Sequence, residues 1–486
     1  MTTSDGGAPR VTRSQATTAA REALRFALGM ALTAALGRRL NPGDFGFVTF
    51  VGTIYALAHL ALDLGSGALL AREIVRDPSR ERPLLEAATA WRFVLGIIAG
   101  LIVAGLACFE PDPERRFWLW VTAASLPLLA PGVSGIVFLV RQDLGPPSVI
   151  GVLLQAGMLG GALLMHDLSA VPAAFALLYV VRETTGALAV RILARVRHGV
   201  VQRPGFFGRD TRRLFSGAVA QATSSILQTV SFHAAPFVIA SCRTDDELGE
   251  FSAASRLVNP VMLLVGALAA PLLPVFAAGY RRSRELTARL TGAAIALGGC
   301  LGAAGAAVVF RHPGSVLDLV YSDGKFTGGT IWESDATAPL AALGIAFAAV
   351  SLGAPACTAL LADGGEGPLR RAFGLGLVVN AFLLAAVGLG APLAAAGWGT
   401  CAAECAVALT AVCELRRRGA VVFVFRNLLW PPVVFATVGL GVEALGRALG
   451  RVPDVLPALV GGAACLVVLA GSPGRAFRAA LKECSV

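Results

Sequence analysis

The chain has 486 residues, 56% of them hydrophobic and 15% charged, with a formal net charge of +10 and a mean hydropathy of +0.70. A water-soluble chain this apolar would need one very large core, and single cores stop growing near about 250–300 residues. The composition excludes a soluble fold and makes the bilayer the solvent. Each crossing then takes about 20 apolar residues, which satisfy their backbone groups within a helix.

In chain order, apolar blocks predict spans at 16–37, 45–70, 87–109, 117–140, 147–165, 171–194, 215–241, 252–279, 290–310, 337–361, 370–390, 392–413, 427–446 and 455–471. The loops between them alternate in charge. One set, from Arg10 and Arg13 to Arg475, Arg478 and Lys482, holds 27 of the 41 basic residues. The opposite set holds nine, and carries acidic runs such as Glu110-Pro-Asp112-Pro-Glu114 and Asp245-Asp246-Glu247. By the positive-inside rule both termini are cytoplasmic and the number of spans is even. The net charge of +10 is thereby explained by topology, with no nucleic-acid partner. The first 15 residues are polar and no cleavage pattern follows the first block, so no secretory signal is expected.

The fold class that follows is an all-α integral membrane protein of about 14 transmembrane helices, in two pseudo-symmetric six-helix lobes plus two C-terminal helices. The boundaries are 1–194 for the N-terminal lobe, 195–214 for a basic cytoplasmic inter-lobe loop, 215–414 for the C-terminal lobe, and 415–486 for an accessory helix pair and cytoplasmic tail. Internal duplication is visible where Asn41-Pro-Gly-Asp-Phe-Gly-Phe47 enters the second span and Asp245-Asp-Glu-Leu-Gly-Glu-Phe251 enters the eighth. The nine cysteines form no C-x-x-C pair, and scattered through apolar helices they read as small buried hydrophobes. Cys401 and Cys405 share a helix face beside Glu404, but no histidine neighbours them and no metal is expected. No cofactor is implied, and without a G-x-x-x-x-G-K-[ST] loop ATP is not the direct fuel.

Ionisable side chains at mid-bilayer cost about 2.5–3.5 kcal/mol each by insertion scales, so each must face protein or water. The apolar core of the first span, Phe26 to Gly37, covers only about 18 Å. Arg21, Glu22 and Arg25 are therefore drawn into the membrane, with Glu22 placed to pair with Arg25; the alternative is that both arginines snorkel to the headgroups. The eighth span carries Arg256 and Asn259 ahead of Pro260, with Glu250 and Asp246 as alternative partners for Arg256. Asp63 and Arg92 are placed for an internal salt bridge. Arg182 and Glu183 point about 100° apart and should need separate partners. Gln221, Gln228, His233, Asn380 and Glu404 complete the polar groups within spans, with interhelical hydrogen bonding expected of Gln221 and Asn380. Arg21, Arg25, Arg92, Arg182, Arg256 and Asn259 form the candidate substrate site, since a guanidinium grips phosphate bidentately and keeps its proton. Glu22, Asp63, Glu183 and Glu404 are the candidates for coupling to H+ or Na+.

Leu36-Gly-Arg-Arg-Leu-Asn-Pro-Gly-Asp-Phe-Gly-Phe47, Leu62-Asp-Leu-Gly-Ser-Gly-Ala-Leu-Leu-Ala-Arg-Glu73 and Leu248-Gly-Glu-Phe-Ser-Ala-Ala-Ser-Arg-Leu257 resemble segments of Wzx-type polysaccharide-lipid flippases of the multidrug/oligosaccharidyl-lipid/polysaccharide (MOP) exporter superfamily. The resemblance implies a V-shaped two-lobed transporter in the bacterial cytoplasmic membrane. It would carry an undecaprenyl-diphosphate-linked oligosaccharide from the inner to the outer leaflet by alternating access. The partners it implies are the lipid-linked glycan, membrane lipids and the polymerase and glycosyltransferases of a polysaccharide pathway. Related peptidoglycan-precursor flippases carry Ser-Arg followed by Gly and Arg-Asp in the first helix, where this chain has Arg21-Glu22 and Arg25-Phe26. Three alternatives stand beside this reading: a lipid-linked peptidoglycan precursor as substrate, an ion-coupled exporter of small amphipathic compounds, and a membrane glycosyltransferase or polymerase. The last would need a catalytic outer loop, and the largest, about 26 residues from Arg311 to Ala336, is too small for a domain. No enzymatic activity is expected.

Overall fold

A computed structural model describes residues 8–63, 66–141, 143–165, 171–200, 209–269, 272–321, 324–327, 335–421, 430–448, 455–471, 474–475 and 477–479. The described regular structure is helical throughout. In the first half the helices are α1 (Ala8–Arg39), α2 (Pro42–Asp63), α3 (Ser66–Arg76), α4 (Glu81–Phe109), α5 (Pro113–Ser125), α6 (Gly135–Val140), α7 (Gly145–Leu164) and α8 (Val171–His198). A 3-10 stretch, Leu126–Ser134, joins α5 to α6. The second half has α9 (Arg209–Cys242), α10 (Asp245–Ala269), α11 (Leu272–Arg282), α12 (Arg284–Arg311), α13 (Pro313–Tyr321), α14 (Thr337–Ala362), α15 (Glu366–Gly388), α16 (Ala394–Arg417), α17 (Trp430–Ala448) and α18 (Val455–Ala470).

Each of the fourteen expected spans has a helix along most of its length. Eight helical stretches among the described residues are long and apolar enough to cross a membrane by themselves. α1, α8 and α10, which carry Arg21, Glu22, Arg25, Arg182, Glu183 and Arg256, are not among those eight, whereas Asp63, Arg92 and Glu404 lie on helices that are. Two expected spans have helix on both sides of a pair of residues outside the described ones, α2 and α3 about 64–65 and α10 and α11 about 270–271. The outer loop expected from Arg311 to Ala336 contains α13. At the expected inter-lobe loop, α8 runs to His198 and α9 starts at Arg209, while 201–208 lie outside the described residues.

The chain divides into two compact units, Met1–Ile226 and Leu227–Val486. Within each, glycines let helix backbones approach. A Cβ on Gly96 or Gly100 of α4 would lie 2.7 Å from Pro127 Cα or Ala123 O, and one on Gly302 of α12 would lie 2.9 Å from Ala348 Cα of α14. The order of contacts fixes direction. Residues 21, 25 and 29 of α1 meet 145, 151 and 155 of α7, so these helices are parallel; Gly96 meets 126–127 and Gly100 meets 123, so α4 and α5 are antiparallel. In the second unit Gly397 meets Pro339 and Gly353 meets Ala408, so α14 and α16 are parallel, while Gly376 and Gly399 set α15 antiparallel to α16. Each pair has the relative direction that alternating crossings demand.

Local chemistry sets the helix ends. Asn41 Oδ1 accepts from the Asp44 N–H at 2.7 Å at the start of α2, and Thr244 Oγ1 accepts from the Glu247 N–H at 3.3 Å at the start of α10, with the acid returning a contact in both. These are capping boxes. Arg39 donates to the Ala162, Leu163 and Met165 carbonyls at the C-terminus of α7, and Arg243 donates to the Val387 and Ala391 carbonyls at the C-terminus of α15. A cation there satisfies carbonyls that have no intrahelical donor and opposes the helix dipole.

Candidate functional site

Unit 1 gathers most of its interior charge on α1, α2 and α8. Tyr55 of α2 stacks on Tyr179 of α8 with ring centroids 6.3 Å apart. One turn further along both helices, His59 Nε2 lies 2.8 Å from Glu183 Oε2. The two rungs, each four residues apart, show that α2 and α8 run parallel and in register. The Tyr55 hydroxyl also hydrogen-bonds Ser125 Oγ at 2.6 Å, and that hydroxyl bonds the Thr122 carbonyl. One turn beyond His59, Asp63 forms an ion pair with Arg92 of α4. The Arg92 side chain is only 13% exposed, so its charge depends on that pairing.

Arg25 pairs with Glu22 at 2.8 Å on α1, and its charge also acts on Glu183. The guanidinium nitrogens of Arg21 and Arg25 lie where side chains on Gly145 and Gly151 of α7 would stand, at 3.0 and 3.5 Å. Arg182 and Glu183, expected to need separate partners, contact one another at 3.5 Å. The long arginine side chain folds back along the helix far enough to overcome the 100° offset, while the other carboxylate oxygen serves His59. Arg25, His59 and Glu183 all fall at the middle of their expected spans, and Asp63 and Arg92 fall toward the inner end. His59 is the member that sequence reasoning missed. It was legible as a titratable side chain four residues from both Tyr55 and Asp63, on one face of an otherwise apolar helix.

Unit 2 is organised differently. The charge of Arg256 on α10 acts on His233 of α9 and on Tyr321 of α13, and the Tyr321 hydroxyl donates to the Ala253 carbonyl at 2.9 Å. Pro260 lacks an N–H, so the carbonyl left without its helical donor is that of Arg256 itself. Asn259 is partly buried one residue before that proline. At the outer end of α10, Glu250 has a buried Oε2 with no hydrogen-bond partner. Burial first, and then the charges of Asp335, Glu247 and Asp246, push its carboxyl up to about 7. Asn380 of α15 donates to the Ser231 carbonyl of α9 at 2.7 Å, the interhelical bond expected of it. Glu404 of α16 is buried, with its charge acting on Cys357 of α14. The Gln221 side chain lies outside the described residues. Among the described residues the candidates in unit 1 make the Glu22–Arg25, Arg182–Glu183–His59 and Asp63–Arg92 contacts, while Arg256, Asn259 and Glu404 of unit 2 are spread over α10 and α16.

The model of a family described as polysaccharide biosynthesis protein matches residues 17–279. The chain belongs to that family. With eight described helical stretches long and apolar enough to cross a bilayer, it is a multi-pass membrane protein. Among solved structures, a lipid II flippase MurJ in an inward closed conformation superposes with a TM-score of 0.70 at 12% identity, covering 93% of this chain and 97% of that one. An inward-facing multidrug resistance MATE family transporter of the MOP superfamily gives a TM-score of 0.61 at 15% identity, covering 82% of this chain and 94% of that one. Both establish the fold. No curated protein sequence matches the chain.

Proposed function

We propose that this protein translocates an undecaprenyl-diphosphate-linked oligosaccharide, the repeat unit of a polysaccharide, from the inner to the outer leaflet of the bacterial cytoplasmic membrane. Both termini are cytoplasmic, and the N-terminal lobe (1–194) and C-terminal lobe (215–414) work by alternating access, with 415–486 as an accessory element. The observation that carries this reading is the Arg25–Glu183–Arg182 cluster at mid-span in a chain of the polysaccharide biosynthesis family. Guanidinium groups there suit a diphosphate, which can compete with the paired carboxylates for their planar forks. Arg21, Arg92, Arg256 and Asn259 extend the phosphate-binding surface, and coupling to H+ or Na+ runs through Glu22, Asp63, Glu183 or Glu404. Outward movement of an anion is assisted by an inside-negative potential, at about 2.3 kcal/mol per charge per 100 mV.

The test is charge reversal in the native host. Arg25→Glu and Arg256→Glu should each abolish surface polysaccharide while the protein remains inserted in the membrane. Normal surface polymer in both variants would falsify the assignment. A lipid-linked peptidoglycan precursor is the second reading, favoured by the superposition on a lipid II flippase. It predicts rescue of a strain depleted of that flippase, which the polysaccharide reading does not.

A further inference from the structure

Two arginines at this level of unit 1, Arg25 and Arg182, are each matched by a carboxylate. Arg25 is paired with Glu22 and Arg182 contacts Glu183, so with His59 neutral these four groups sum to zero. A substrate bearing two phosphate charges meets no net countercharge at this level. The member of the cluster able to supply one is His59, because imidazole is the side chain that changes charge between about pH 5 and 8. Its Nε2 is 2.8 Å from Glu183 Oε2, and its side chain is 52% exposed. An ionisable group open at mid-span faces water and not hydrocarbon, so both a proton and a ligand can reach it.

The elements packed on α2 are α1, α4, α5, α8 and the 3-10 stretch. Of the charged and titratable groups these elements carry near its level, Glu183 of α8 contacts His59, and the others are Glu22 and Arg25 of α1, Arg92 of α4, and Tyr179 and Arg182 of α8. Asp63 and Tyr55 flank it on α2 itself. Asp63 is already paired with Arg92. The charges of α5, Glu114, Arg115 and Arg116, lie at its outer end, and the 3-10 stretch has none.

Resting on the reading that the cargo is a diphosphate anion, we propose that His59, held by Glu183, is the proton-binding residue of the transport site. One proton loads onto the imidazole as the phosphates enter, and leaves as they depart. The imidazolium saturates Glu183 Oε2 and gives the cluster its net positive charge. Binding is therefore tighter in acid than in alkaline solution.

The experiment uses the full chain in nanodiscs of phosphatidylethanolamine and phosphatidylglycerol. The probe is farnesyl-diphospho-N-acetylglucosamine, a diester whose phosphates do not titrate in this range. Calorimetric titration in buffers of different ionisation heat reads affinity and proton uptake together. Wild type should bind up to about tenfold more weakly at about pH 8 than at about pH 6, with net proton uptake. His59→Gln should bind weakly at both pH values with no uptake. His59→Arg, whose charge is fixed, should bind at both pH values as wild type does in acid, and so preserves the test if the glutamine variant fails to insert. Glu183→Gln should tighten binding and keep the pH slope. A slope that persists in His59→Gln, or a wild type that binds the probe without one, overturns the proton assignment and leaves the anion reading standing. Failure of wild type to bind the probe at either pH overturns the anion reading and this proposal with it.

Discussion

The two units are built with the same joints around different interiors. In each, a capping box opens the helix of the second crossing, at Asn41 and Asp44 or at Thr244 and Glu247. An arginine closes the far end of the fifth-crossing helix, as Arg39 on α7 and Arg243 on α15. Glycines four apart, 96 and 100 or 298 and 302, press the third-crossing helix onto the fourth. The N-terminal ends of the third-crossing helices repeat the geometry with the charges exchanged. Glu81 at the start of α4 pairs with Arg141 after α6 at 2.9 Å, whereas Arg284 at the start of α12 pairs with Asp363 after α14 at 3.3 Å. Acids after the fourth crossing also hold bases at the end of the sixth, Asp143 with Arg197 and Asp363 with Arg418. The joints require complementarity and tolerate either polarity. The interiors have diverged: unit 1 holds a ladder of paired charges, whereas the interhelical hydrogen bonds of unit 2 are neutral, from Asn380 to the Ser231 carbonyl and from Tyr321 to the Ala253 carbonyl.

Variants that touch an interior should affect one unit, and variants at a joint should affect both alike. The largest effect is expected from Asp63→Ala, which strands the buried Arg92 charge. Unit 1 should lose about 3–5 kcal/mol, read as thermal unfolding in detergent. Arg92→Ala leaves the more exposed Asp63 and should cost less; equal losses would contradict the burial argument. Gly100→Val and Gly302→Val should each cost about 1–3 kcal/mol by forcing helices apart, and similar losses in the two units would confirm a shared joint. Arg39→Ala and Arg243→Ala should each cost about 1.5 kcal/mol, measured as protease sensitivity near Met165 and Ala391. Exchanging Glu81 and Arg141 should leave stability unchanged, whereas either single reversal should cost about 1 kcal/mol.

Glu250 gives a smaller, pH-dependent contrast confined to unit 2. Its carboxyl is raised in the folded state to about 7, so the folded protein holds that proton more tightly than the unfolded chain. The stabilisation is complete in acid and is lost as pH rises from the ordinary glutamate range through about 7. Glu250→Gln should flatten this loss, a Tm difference of about 2–4 °C at neutral pH. An unchanged pH profile would count against the burial assigned to its carboxyl.

The helices were legible because hydropathy and loop charge both report membrane crossing, and the fourteen expected segments coincide with helices. The Asp63–Arg92 and Glu22–Arg25 pairs were legible as well. The first follows from the cost of charge in lipid and the second from i,i+3 spacing. The Arg182–Glu183 contact was not, because a helical wheel fixes where Cβ points and not where a long guanidinium ends. His59 was passed over because its meaning comes from Glu183, 124 positions away, and one sequence cannot show which face of α8 meets which face of α2. In the sequence Arg39 and Arg243 read only as loop charges, since their carbonyl partners lie 123 to 148 residues distant.

The paired rungs between α2 and α8 constrain how the first half can move. If one helix slid past the other by a single turn, about 5.4 Å, Glu183 would land beside Asp63 in one direction and against the Tyr55 ring in the other. Neither neighbour replaces the imidazole, so no second resting register exists along this seam. In the proposed transport cycle α2 and α8 should therefore keep this register and move together.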